Sequence, residues 1–141
     1  LAYEIGSAAK RFYDTGAFVV HAGIDNRKVN ESIELILKEL KRIKESLITQ
    51  DEFKRAKDFY LGQLLLALED TMDNMLWVGE TTATLGRTFT IAEIIAEVKK
   101  VKREDLREAA QQIFKENKIN LALIGPLAAG EEELKDKLKL K

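Results

Sequence analysis

His21 is the only histidine in the 141 residues, and the chain has no cysteine. A catalytic zinc site takes three protein ligands and a structural site four, so a metal here would draw all but one ligand from carboxylates. The lack of cysteine also excludes disulfides, thiolate metal sites and cysteine nucleophiles. His21 lies in a strand-like stretch, out of phase with Phe18 and Val20, and a structural or surface role is expected of it. Ser7, His21 and Asp14 or Asp25 supply the types of a Ser-His-Asp trio. No G-x-S-x-G turn surrounds Ser7, Ser32 or Ser46 to expose a nucleophile. No glycine-rich phosphate loop of the G-x-G-x-x-G or Walker type occurs either.

Three further groups have side chains suited to chemistry or recognition. Glu69, Asp70 and Asp73 cluster where one helix pattern gives way to the next. Acidic residues favour helix starts, so solvation and an N-cap at Thr71 or Asp73 are expected rather than a metal site. A calcium site would need more oxygen ligands in a tight loop. Met72, Met75, Leu76 and Trp77 fall at helical spacing and are expected to face a core rather than form an exposed recognition stripe. Tyr3 is the remaining candidate: a phenol can donate to a carbonyl oxygen that gains charge in acyl transfer. Spacing alone makes it a strand aromatic.

The elements that must position these residues follow from period and punctuation. Residues 3–10 and 17–25 alternate as strands, joined through Asp14-Thr15-Gly16, whose side chains and freedom suit a turn. A helix is expected from Asn30 as N-cap, with Ile33, Ile36, Leu37, Leu40, Ile43 and Leu47 on one face. Thr49-Gln50-Asp51-Glu52 opens a second helix as a capping box, with Phe53, Ala56, Tyr60, Leu64, Ala67 and Leu68 inward. A third spans about 72–85, with Gly86 as its stop. Thr90-Ile91-Ala92-Glu93 is a second capping box, and residues 104–116 form another helix with Leu106, Ala109, Ala110, Ile113 and Phe114 inward. Residues 119–124 read as a strand ended by Gly125-Pro126, and the charged run to Lys141 as a helix or frayed end.

Strands, a block of four to five helices and a final strand predict an α+β fold, with an antiparallel or mixed sheet packed against helices. Three strands are few for such a block, so amino-terminal strands are expected ahead of residue 1, leaving an open sheet edge and a tendency to self-associate. Composition agrees with a folded domain: 45% of residues are hydrophobic and 33% charged. The 23 basic and 24 acidic residues are interspersed, which gives no basic footprint for nucleic acid and no polybasic membrane anchor. No apolar run approaches the ~20 residues that span a bilayer.

Leu1-Ala2-Tyr3-Glu4-Ile5, then Phe12-Tyr13-Asp14-Thr15-Gly16-Ala17-Phe18, resembles the G-L-A-Y strand and D-T-G hairpin of the zinc-peptidase family of pitrilysin, insulin-degrading enzyme and mitochondrial processing peptidase. The resemblance continues through the helix over 36–47, Thr49-x-x-Glu52 with Ala56-Lys57, Leu85-Gly86, residues 94–101, Asp105-Leu106 and Leu121-Ala122-Leu123-Ile124-Gly125-Pro126. Each motif is short; their order and spacing are more specific. The resemblance implies a C-terminal-type domain over 1–127, truncated at its amino end, followed by a charged tail over 128–141.

In that family a first domain carries H-x-x-E-H, an inverted zinc motif with Glu as general base. A second domain contributes an Arg and a Tyr that hold substrate and stabilise the oxyanion. The resemblance makes Tyr3 that tyrosine and puts the Arg before residue 1. With one histidine the chain cannot supply H-x-x-E-H, so no cofactor is expected in it, and zinc is expected in a partner domain or subunit. The implied partners are that domain and a peptide substrate, with no nucleic acid and no membrane. The chain alone is then not an enzyme. It is expected to be part of a longer peptidase, to come from an Arg/Tyr-bearing subunit, or to belong to a non-catalytic scaffold relative.

Overall fold

Alternating side chains over the first residues form a hairpin of β1 (Ala2–Arg11) and β2 (Gly16–Ile24), closed by a bond from the Phe12 N–H to the Thr15 carbonyl (2.9 Å). The computed structural model describes residues 1–126, 134 and 138. After the hairpin come α1 (Val29–Glu45), α2 (Gln50–Glu69), α3 (Thr71–Leu85), α4 (Ile91–Lys100) and α5 (Arg103–Ile113), with 3-10 turns at Asn26–Lys28 and Glu116–Lys118. Among the described residues, two antiparallel strands and the five helices α1–α5 make the chain α+β, as its pattern predicts. Among the described residues no helix is long and apolar enough to cross a membrane.

The chain divides into two compact units. One comprises Leu1–Lys10, Phe18–Leu47 and Glu104–Lys141; the other comprises Arg11–Ala17 and Ile48–Arg103. In the first, Val29, Ile33 and Leu37 on α1 bury their side chains with Leu134, and Ile24, Ile119, Leu123 and Leu138 pack against them. Phe18 meets Phe114 edge to face at 5.2 Å, and the Gln111 amide donates to the Lys44 carbonyl (3.1 Å) at the end of α1. The tail expected over 128–141 lies outside the described residues apart from Leu134 and Leu138.

In the second unit Thr49 caps α2, its hydroxyl accepting the Glu52 N–H (3.2 Å). Ile48 and Phe53 take the N′ and N4 positions around that cap, and both are buried, as in a hydrophobic staple. Asp70 ends α2 and starts α3: its Oδ1 accepts the N–H groups of Met72 (2.8 Å) and Asp73 (3.0 Å). Gly86 closes α3 at φ 72°, a left-handed turn that costs a side-chain-bearing residue energy and glycine almost none. The Thr90 capping box on α4 is complete in both directions. The Lys57 ammonium donates to the carbonyls of Lys99 (3.0 Å) and Val101 (2.7 Å) at the end of α4 while lying 4.8 Å over the Phe53 ring. The Arg103 guanidinium likewise donates to the Ile48 carbonyl (3.1 Å).

Several expectations are corrected. Asn30 is not the cap of α1; the chain first turns through Asn26–Lys28, capped by Asp25, and Asn30 falls inside the first turn of α1. The N-cap of α3 is Asp70, neither Thr71 nor Asp73. α5 ends at Ile113, and of its expected inward residues only Ala110 is buried, with Leu106 and Ile113 exposed. On α2, Ala56, Tyr60 and Ala67 are exposed while Phe53 and Leu68 are buried. Met72, Met75 and Leu76 are exposed too, and only Trp77 of that group is half-buried. Residues 119–124 form no strand: Ile119 and Leu123 pack on the α1 core, but the segment joins no ladder, because a strand needs a neighbour and among the described residues the sheet holds only β1 and β2.

Candidate functional site

The candidate site is the β1–β2 ladder, and its register follows from two contacts. Phe12 bonds Thr15 at the turn, and the position a Cβ on Gly6 would occupy lies 2.6 Å from Cε1 of His21. Both fit one antiparallel register, which puts Tyr3 opposite Ile24, Ile5 opposite Ala22 and Ser7 opposite Val20. Tyr3 and Ile5 then share a face, since side chains alternate along a strand. Leu1, Tyr3 and Ile5 are all exposed, and Tyr3 is 84% exposed. Among the described residues β1 pairs only with β2, so its other edge keeps unpaired backbone groups.

His21 is accounted for by packing. Its imidazole covers Gly6, on the opposite face of the ladder from Ser7 by the alternation of β1. Asp25 is engaged elsewhere: it accepts from the Arg27 N–H (2.9 Å), Nε (3.1 Å) and Nη2 (2.7 Å). The side-chain bond from Arg27, then its backbone N–H, holds the Asp25 carboxyl below the ordinary carboxylate value. The Ser7, His21 and Asp25 trio is therefore not assembled. Glu69, Asp70 and Asp73 are not a cation site, because Asp70 is occupied as the cap of α3 and the described residues hold no group of three His, Asp or Glu able to bind a metal.

Sequence reasoning missed two features. Lys57 and its carbonyl partners lie more than forty residues apart, beyond any local signal. Ala56, Tyr60 and Ala67 on α2 and Met72, Met75 and Leu76 on α3 are exposed where helical spacing predicts core, because spacing reports that a face is apolar without saying what covers it.

The fold and this strand define an α+β domain whose described residues hold no metal centre. Residues 1–60 match the family described as the peptidase M16 inactive domain. The chain belongs to the M16 peptidase family. A protein named as an uncharacterized zinc protease from Streptomyces coelicolor is 31% identical over 127 residues, covering 90% of this chain and 28% of that protein. The uncharacterized zinc protease YmxG of Bacillus subtilis is 32% identical over 126 residues, covering 89% of this chain and 31% of that protein. A chain of complex III2 from Candida albicans, solved with Inz-5 bound, superposes with a TM-score of 0.70 at 25% identity over 77% of this chain and 26% of its own. The chain thus spans less than a third of the length of these relatives.

Zinc is implied by the relatives' names, and the residues present do not fit it. The single imidazole is turned over Gly6, the sequence has no thiol, and no three donors converge among the described residues.

Proposed function

We propose that this chain is the substrate-binding, oxyanion-supporting part of a zinc metallopeptidase, with Tyr3 as the donor to the peptide carbonyl oxygen. The observation that carries this is the exposure of Tyr3, on the first strand of the segment that matches the inactive-domain family. A tyrosine there for packing alone would bury its ring within the chain, and this one leaves 84% of its surface open. A strand fixes the phenol more tightly than a loop does, which suits a donor that must sit in place before charge develops. The open backbone edge of β1 and the exposed Ile5 beside Tyr3 suit an extended peptide, which can pair along a strand while side chains at alternate positions meet the apolar row. Metal chemistry belongs to a partner domain or subunit bearing H-x-x-E-H. The same open edge also supports self-association of the isolated chain.

Tyr3→Phe in the intact parent protein or complex tests this reading. Loss of one oxyanion donor costs about a hundred- to a thousandfold in kcat, with kcat/KM falling alongside. The ring is retained and already exposed, so the melting temperature should hold. Full activity in Tyr3→Phe removes Tyr3 from the chemistry. A second reading, a non-catalytic scaffold, is favoured by the likeness to a chain of complex III2. It takes over if the intact assembly cleaves no peptide.

A further inference from the structure

A peptide seated on the open edge of β1 would meet more than Tyr3. The bond between Phe12 and Thr15 fixes which backbone groups face outward. In that register the even positions of β1 bond to β2, and Tyr3, Ile5 and Ser7 turn their N–H and C=O to the open edge. A peptide strand there would hydrogen-bond at those residues. Opposite Gly6 it would form a non-hydrogen-bonded pair, in which facing side chains stand closest and Cα atoms are about 4.5 Å apart.

Gly6 brings no side chain to that pair. The ring of His21, from the inner strand, stands in its place: Cε1 and Nε2 lie 2.6 Å and 2.7 Å from where a Cβ on Gly6 would be, and Nδ1 3.6 Å. The ring therefore reaches across β1 with its Cε1–Nε2 edge leading. His21 stays exposed although it rests on Gly6. Packing accounts for where the ring lies and leaves its outer edge open to whatever pairs with β1.

The surroundings select the kind of side chain. Glu4 and Ala8 flank Gly6 along β1 on this face, and Val19 and Gly23 flank His21 along β2. An acidic side chain opposite Gly6 would lie diagonal to the exposed Glu4 carboxylate and be repelled. A small one would leave the imidazole edge to water. An aromatic ring can lie over the bare glycine and meet the imidazole edge to face.

We propose that His21, reaching over Gly6, determines specificity in the peptide site by selecting an aromatic side chain at the substrate position paired with Gly6. That position is three residues from the one paired with Tyr3, with its side chain on the opposite face. The proposal rests on the functional reading above for the peptide and its edge, and adds what the peptide carries.

Binding and cleavage are measured separately in the intact parent protein or complex. A fluorescein-labelled peptide of alanine and serine carries one phenylalanine, moved a position at a time. Stopped-flow anisotropy reads binding ahead of cleavage. At one position phenylalanine should tighten binding about three- to tenfold, and glutamate there should bind no better than alanine. His21→Leu, which keeps Gly6 covered without a ring, should abolish that gain. His21→Phe should retain it, and so should Val19→Ala and Tyr3→Phe. A phenylalanine profile unchanged by His21→Leu, a gain lost in His21→Phe, or no binding of any peptide overturns the inference. Cleavage of the same peptides reads the functional proposal apart from it. His21-dependent binding without cleavage upholds the inference and denies the peptidase reading. Tyr3-dependent cleavage with no His21-dependent preference does the reverse.

Discussion

Replacing Lys57 by methionine should be the most costly single change at a half-exposed position in the second unit. The ammonium spans the start of α2 and the end of α4 through two carbonyls, Lys99 at 3.0 Å and Val101 at 2.7 Å. Carbonyls at a helix end lack intrahelical partners, so a cation there satisfies two groups and complements the dipole. Hydrogen bonds to a charged group contribute about 1.5–3 kcal/mol each when shielded. Both bonds are solvent-accessible, and halving the figure gives about 2 kcal/mol for the pair. Contact with the Phe53 ring at 4.8 Å adds about 0.5 kcal/mol at such a site. Methionine keeps most of the aliphatic stem, so Lys57→Met isolates the ammonium. At about 4 °C per kcal/mol for a chain of this size, the melting temperature should fall by about 8–10 °C. Differential scanning calorimetry reads it, and amide exchange around Val101 should accelerate most. A fall of under about 2 °C would mean that water replaces the lysine at both carbonyls and that the contact organises nothing.

The capping box of α4 should be acid-sensitive. Backbone and then side-chain bonds from Thr90 lower the Glu93 pKa below its ordinary value of 4.5, so its contribution is complete above that value and disappears as pH falls through the lowered folded value. The difference in melting temperature between wild type and Glu93→Gln should therefore narrow below pH 4.5, and a constant difference refutes the box. Gly6→Ala should displace the His21 ring, which lies 2.6 Å from the new methyl position, and shift its NMR resonances. Adding His21→Ala should restore the stability lost, and additive losses would deny the contact. Elemental analysis of the isolated chain, dialysed without chelator, should find no stoichiometric zinc; one tightly held zinc per chain would reopen His21 as a ligand.

What was legible in the sequence was what is decided within a few residues. Thr49, Thr90 and Gly86 act on backbone groups three or four positions away, so their types and spacing carry the whole argument. The hairpin was equally open, since alternation and Asp14-Thr15-Gly16 are local. Asn30 misleads because capping potential is legible from residue type alone: Asp25 caps the 3-10 turn at Asn26–Lys28, and α1 follows directly from Val29 with no side-chain cap of its own. Met72, Met75 and Leu76 have the spacing of core residues and are exposed, because apolarity is local and burial is not. Tyr3 could be singled out by type, but its exposure appears only in the folded ladder.

Residues 119–124, which have the alternation of a strand and join no ladder, bear on how the isolated chain behaves in concentrated solution. Ile119-Asn120-Leu121-Ala122-Leu123-Ile124 holds no charge and no proline, and six such residues suffice to stack chain upon chain in a cross-β spine. Ile119 and Leu123 pack on the α1 core, and Ile124 is fully exposed. Lys115 and Lys118 before it and Pro126 after it stand where charge and a missing donor interrupt such stacking. Lys118→Ile or Pro126→Val would therefore leave the melting temperature nearly intact while shortening the lag before thioflavin-positive fibrils form. Colloidal lifetime would then be set by two flanking residues and not by the depth of the core.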